Sequence, residues 1–307
     1  MRPIFIASTI NPDLDGVACC YAYSELQKKL GKETVIGITG QISEEARFTL
    51  DYFNIALPDY SHNPQDFEQI ILVDASYVWG LDPRIKSEQV IEVFDHRFSN
   101  DSHLFTNAII QIELLGACAT VVAEKFQQSQ KDISQESAVL LHTGIISNTL
   151  NFQAHITTSR DKAMASWLNK KFALPADFAW QMFKAKSDFS GSKLADSIEQ
   201  DFRSGGLGKI GIAQIEMIGG EELVKNRASE ILEKLQQKQK ALGLEYIFLS
   251  IVELKEGHNI FVSSDLKTQD LLKSVFNVNF ENNIAVLPDL LMRKEIRPLL
   301  QKAIGEM

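Results

Sequence analysis

The sequence predicts an α/β protein: a parallel-sheet domain with helices on both faces, followed by a smaller mixed α/β domain. Three observations predict it. Short apolar runs alternate with segments of helical periodicity over the first half of the chain. Three of those runs lead into aspartates, at Asp13, Asp74 and Asp95. The alternation then breaks in a polar stretch, Lys184 to Ser192, and resumes in a different order. The expected division is therefore a first domain over 1–186, a hinge at 187–192 and a second domain over 193–307.

Each element has its own reason. Pro3 to Ser8 is apolar and short, as a buried parallel strand is. After the Asn11-Pro12-Asp13 turn, Gly16 to Leu30 has helical periodicity and stops at Gly31. Glu33 to Ile38 is a second strand. Ser43 is placed as the N-cap of a helix reaching Phe53, with acids in its first turn. Gln69 to Asp74 and Val90 to Phe94 are strands. Helices are expected over Ala117–Gln128, Ser137–Ser147 and Ser159–Leu168, the last with Thr157, Thr158 and Ser159 available for capping. In the second domain, strands are expected at Ile210–Glu216, Tyr246–Leu254 and Asn259–Ser264. A long helix is expected at Glu221–Leu242, and the final segments are Thr268–Phe276 and Arg293–Ile304.

Composition bounds the class. The 307 residues are 45% hydrophobic and 23% charged, ordinary for a globular protein of one large or two medium domains. A net charge of −9 argues against general affinity for nucleic-acid duplexes or anionic membranes, although it leaves room for a local phosphate pocket. Cys19, Cys20 and Cys118 form no CxxC pair and read as small buried hydrophobes of a reducing compartment. The N-terminal apolar run is too short for a signal peptide, and no stretch is long enough to span a membrane. The expected location is the cytoplasm.

In an open parallel sheet, ligands bind beyond the carboxyl ends of the strands. Asp13, Asp15, Asp74, Asp95 and His96 would then share one rim. Carboxylates held together repel unless a cation neutralises them, and carboxylate plus imidazole donors suit Mn²⁺, Mg²⁺, Fe²⁺ or Co²⁺. Singly, each residue has a plainer reading as a turn former, helix cap or hydrogen-bonded loop histidine. Jointly they point to a metal centre.

At these residues the chain resembles the DHH phosphoesterase superfamily, and within it the manganese-dependent family II inorganic pyrophosphatases, which join a DHH to a DHHA2 domain. Ser8-Thr9-Ile10-Asn11-Pro12-Asp13-Leu14-Asp15-Gly16 is similar to the motif GHxNPDxDS. Glu44 to Leu50 with Pro58 resembles ExxFxLxxF…P, and Leu72-Val73-Asp74 the second motif. Asp95-His96-Arg97 stands where the DHH triplet is expected. Gly116 to Thr120 resembles GxTAT, and Ile145 to Leu150 resembles IISDTL. Arg293-Lys294 resembles the pair in SRKKQ, and Arg203 aligns with a substrate-binding lysine.

What the resemblance implies is hydrolysis of a phosphoanhydride, most directly pyrophosphate, by two Mn²⁺ (or Mg²⁺ or Co²⁺) ions. Asp13, Asp15, Asp74, His96 and Asn148 would hold the metal, with Asp74 as bridge. Arg97, Arg203, Arg293 and Lys294 would face the phosphates. A homodimer through the first domain is also implied. Three positions depart from the pattern: Thr9 for a ligating histidine, Asn148 for a ligating aspartate, and Arg97 for the triplet's second histidine. Each substitution at a ligand weakens a site, since a hydroxyl and a neutral amide are poorer donors to these ions. Two alternatives stay open. One is an exopolyphosphatase/prune-like enzyme, or an oligonucleotide phosphodiesterase, of the same superfamily; the other is a catalytically degenerate protein that binds a phosphate ligand.

Overall fold

The computed structural model describes residues 2–97, 100–206 and 209–306. The chain divides into two compact units, Met1–Met182 and Phe183–Met307.

The first unit is built on five parallel strands in the order β2-β1-β3-β4-β5. They are β1 Ile4–Ala7, β2 Thr34–Gly37, β3 Ile70–Val73, β4 Val90–Asp95 and β5 Ile109–Ile112. Strands β1 and β3 are apolar at every position and buried throughout, as central strands covered on both faces must be. The chain leaves β1 to build β2 on one side, then returns to build β3 on the other. That reversal opens a crevice at the carboxyl ends of β1 and β3.

Helix α1, Leu14–Lys29, starts in this crevice. Asp13 is its N-cap, with Oδ1 accepting the Gly16 N–H at 3.0 Å. Small residues let α1 lie close to the sheet. A Cβ at Gly16 would fall 2.4 Å from Ser8 Oγ, so a larger residue after Asp15 would make the Ser8 hydroxyl turn aside. Beyond α1 come α2 Glu44–Tyr52, capped by Ser43, then α3 Cys118–Gln128, α4 Gln135–Asn148 and α5 Ser159–Asn169. Helix α1 packs on α3 and α4. The opposite face of the sheet buries Phe5, Leu72, Val90 and Val93 under Phe67, Leu81 and Phe105 from connecting segments. All three cysteines are buried and free. Helix α6, Phe178–Ala185, carries the chain from one unit into the other.

The second unit is a mixed sheet in the order β10-β9-β8-β7-β6. Strands β7 Ile210–Met217 and β8 Tyr246–Glu253 are parallel, joined by α8 Gly220–Leu242; the other pairs are antiparallel. The remaining strands are β6 Arg203–Gly205, β9 His258–Val262 and β10 Ile284–Leu287. Alternate side chains sort to two cores. Ala213, Ile215, Leu249 and Ile251 meet α7 (Lys193–Asp201) and α8, while Ile212, Phe248 and Phe261 meet α9 (Leu266–Phe276) and α10 (Arg293–Glu306). No helix among the described residues is long and apolar enough to cross a membrane.

Sequence periodicity located the long elements to within a few residues. It missed β5, β6, β10, α6 and α7. The three strands are only three or four residues long, and short runs carry too little periodicity to register.

Candidate metal centre

Three loops deliver the site, each from the carboxyl end of a strand. After β1 the backbone turns through Asn11, in the left-handed region at φ +53°, and its Oδ1 accepts the Gln41 N–H at 2.8 Å. This sets Asp13 at the helix N-cap and Asp15 within its first turn. After β3, Asp74 itself adopts φ +52°, a conformation uncommon for a residue with a Cβ, and its N–H donates to Phe94 O at 2.8 Å. The β4 end supplies Asp95, His96 and Arg97 directly.

Asp15, Asp74 and His96 each offer a ligand atom, and these atoms all lie within 4.8 Å of one another. Asp15 and Asp74 are buried. His96 Nδ1 lies 3.0 Å from the Leu115 carbonyl, which places the proton on Nδ1 and turns the Nε2 lone pair inward, 3.5 Å from Asp74 Oδ1. Asp74 Oδ1 is buried and accepts no hydrogen bond, although Arg97 Nη1 stands 3.1 Å away as an ion-pair neighbour. An unsatisfied buried carboxylate oxygen beside an imidazole lone pair, in a cluster that includes a second carboxylate, fits a divalent cation of the manganese or magnesium type.

The protonation energetics agree. Burial pushes the Asp15 carboxyl above its ordinary range; His96 opposes this, Asp13 adds to it, and the Cys118 and Ala119 amides oppose it again. Burial pushes Asp74 up strongly, against the pull of Arg97 and with the help of Asp13, Asp15 and Asp95. Packed carboxylates of this kind are what a bound cation would hold ionised.

The remaining expected residues fall into two groups. In the first unit, Asp13 lies outside the close trio and acts as the α1 cap. Asn148, the last residue of α4, donates Nδ2–H to Asp15 Oδ2 at 2.7 Å. Arg97 donates to the Asp74 carbonyl, to Asp74 Oδ2 and to both oxygens of Asp95. Burial opposes the Arg97 charge, but Asp74, Asp95 and Asp13 together more than offset this and hold it firmly protonated. In the second unit, Arg203 is exposed at the start of β6, Lys294 is exposed on α10, and Arg293 forms an ion pair with Asp201. Arg297, one turn beyond Arg293, donates to the Arg203 carbonyl at 2.8 Å, so Arg203 and α10 are neighbours.

Sequence reading missed two supporting roles. Asp95 anchors Arg97 and accepts from Ser76 Oγ and the His96 N–H. The α3 N-terminus donates the Cys118 and Ala119 N–H groups to Asp15, each at 2.8 Å. The first could have been suspected from the DHR triplet. The second joins residues more than a hundred positions apart and had no local trace.

Fold and donor set together define an α/β protein with a carboxylate–imidazole cluster, a candidate cation site, at the switch point of a parallel sheet. The family model for the DHH family N-terminal domain matches residues 3–145, and that for the DHHA2 domain matches residues 180–303. The probable manganese-dependent inorganic pyrophosphatase of Clostridium acetobutylicum is 30% identical over 98% of both chains. The manganese-dependent inorganic pyrophosphatase of Methanothrix thermoacetophila is 28% identical, also over 98% of both. A Methanococcus jannaschii structure assigned to family II inorganic pyrophosphatase superposes with a TM-score of 0.71 at 25% identity, covering 98% of this chain and 99% of that one. An exopolyphosphatase-related protein of Bacteroides fragilis shares the fold at a TM-score of 0.53 and 14% identity, covering 99% and 92%. The chain belongs to the family of the manganese-dependent inorganic pyrophosphatases, a DHH domain followed by a DHHA2 domain.

Proposed function

We propose that this chain hydrolyses pyrophosphate to two phosphates with manganese as its cation. The convergence of Asp15, Asp74 and His96 on one point, with a buried Asp74 oxygen that accepts no hydrogen bond, carries this reading. Asp15, Asp74 and His96 would hold the ion, with Asn148 Oδ1 as a neutral further donor and Asp13 at the edge of the site. Bound there, the ion supplies Lewis-acid polarisation of a phosphoryl oxygen and acidifies the attacking water.

The chain's own groups do the rest. Leu115 O and the α3 amides hold His96 and Asp15 in place, so little reorganisation is needed when charge develops. Arg97 keeps a permanent positive charge beside Asp74 for spectator phosphate oxygens. Arg203, Arg293 and Lys294 are proposed as phosphate-binding cations of the second unit, where planar guanidinium groups suit phosphate oxygens. Asp201 keeps Arg293 oriented until an anion competes for it.

We further propose a cytoplasmic homodimer joined through the first unit. Strand β5 is an edge strand, paired to β4 alone, and exposes Ile109 (70%) with Leu114 (63%) just beyond it.

The direct test is phosphate release from pyrophosphate with Mn²⁺, Mg²⁺ and Co²⁺, beside tripolyphosphate and the dinucleotide pApA. Release from pyrophosphate with Mn²⁺ is expected. Faster release from tripolyphosphate or pApA would transfer the assignment to the exopolyphosphatase-like or phosphodiesterase reading. No release with any metal, together with binding of a phosphate ligand, would remove the enzyme readings. Substituting Thr9→His with Asn148→Asp restores two stronger donors and should raise manganese affinity and turnover about tenfold or more. Unchanged affinity and rate would refute the ligand-loss argument.

A further inference from the structure

Arg97 holds the oxygen that a second cation would need. A carboxylate shared between two ions in the two-oxygen bridging mode would give one oxygen to each. Here Asp74 Oδ1 accepts no hydrogen bond and lies 3.5 Å from His96 Nε2 and 3.1 Å from Arg97 Nη1, whereas Oδ2 accepts from Arg97 Nη2 at 3.2 Å. The same guanidinium is tied to the Asp74 carbonyl at 2.9 Å and to Asp95 at 3.0 and 3.2 Å. Asp95 is itself fully buried and fixed by Ser76 Oγ and the His96 N–H. Of the other groups that could serve a second ion, Asp13 has Oδ1 engaged by the Gly16 N–H, and Thr9 offers only a hydroxyl.

We propose that the chain binds a single divalent cation, at Asp15, Asp74 and His96, and that Arg97 is a built-in cation in the place of a second. This inference rests on the metal reading above and replaces the expectation of two ions. Arginine suits the role because its charge is permanent and its fork spans two carboxylates at once. It differs from an ion in one respect that matters. A guanidinium neutralises anions but does not acidify water, so only one cation remains available for that chemistry.

Equilibrium dialysis of the full chain against Mn²⁺, with elemental analysis and electron paramagnetic resonance of the bound ion, tests the proposal without reference to activity. One manganese per chain is expected, with the spectrum of isolated Mn(II). Thr9→His alone and Arg97→Lys should both stay at one, because a cationic side chain still holds Asp74 Oδ2. Thr9→His combined with Arg97→His should rise to two, with exchange-coupled features. Circular dichroism confirms that each variant is folded before it is scored. Two coupled ions in the unaltered chain, or in Thr9→His alone, would overturn the proposal and leave the metal reading intact. A folded double variant that still binds one ion would also overturn it. No bound manganese at all would overturn both.

Discussion

His142 lies on α4 with its ring edge-on to Phe172, and its buried Nδ1 has no hydrogen-bond partner. Burial pulls its pKa down to about 4, from 6.5 in an unfolded chain. The unfolded state therefore binds the proton more readily, and stability is lost as pH falls below about 6.5, the loss being complete near pH 4. Asp15 and Asp74 act in the opposite sense. Their raised pKa values make the metal-free folded state the better proton acceptor as pH falls toward the ordinary carboxylate range. A variant isolates the histidine from them. Between about pH 7.5 and pH 5, urea unfolding should show roughly 2 kcal/mol more loss in the unaltered chain than in His142→Leu. Equal pH slopes would show that His142 is not the group responsible. The sequence around His142 does not record this, because its burial comes from packing against the distant Phe172.

At the scale of elements, the site's neighbours are held by carboxylates acting across the fold. Helix α3 has Ala117 in the N-cap position, where its side chain cannot cap; Asp15 from α1 takes the first amides instead. One carboxylate thus serves a helix end and belongs to the proposed cation site. Asp161 does comparable structural work on α5. It completes a capping box with Thr158, accepts the Gly116 N–H at 2.9 Å and accepts from Thr120 Oγ1 at 2.5 Å. Removing it by Asp161→Ala leaves buried donors unpaired in three segments, and should cost about 3 kcal/mol in denaturant unfolding. A loss below about 1 kcal/mol would mean that water replaces the carboxylate. The capping of α5 by its Thr-Thr-Ser start was readable locally, because a cap lies within four residues of what it caps. The ties from Asp161 to Gly116 and Thr120 were not, since they span more than forty residues.

At the scale of the whole molecule, the open edge of the first sheet is the feature with most consequence. Strand β5 presents an unpaired backbone edge and exposed Ile109 and Ile110, which a second copy could cover by extending the sheet. Light scattering after size exclusion should give twice the chain mass for the unaltered protein. Replacing Ile110 by lysine should give a single chain mass or a dimer at least tenfold weaker, with circular dichroism unchanged. A stable dimer that survives this substitution would place the interface elsewhere. The net charge of −9 sets a further demand on any such association, because the two copies repel until the apolar edge is covered.

Local pattern was sufficient for the long helices and central strands, and for carboxylates at three strand ends. Those features depend on neighbours within a turn or a strand, so the order of residues specifies them. The motifs likewise identified the family and located the departures at Thr9, Arg97 and Asn148. What those departures do was decided only by the tertiary structure. The left-handed turn at Asp74, the grip of Arg97 on its second oxygen, the Asn148 amide on Asp15 and the Leu115 carbonyl behind His96 all join distant segments. Their geometry follows from how the strands and helices pack, and no periodicity along the chain records it.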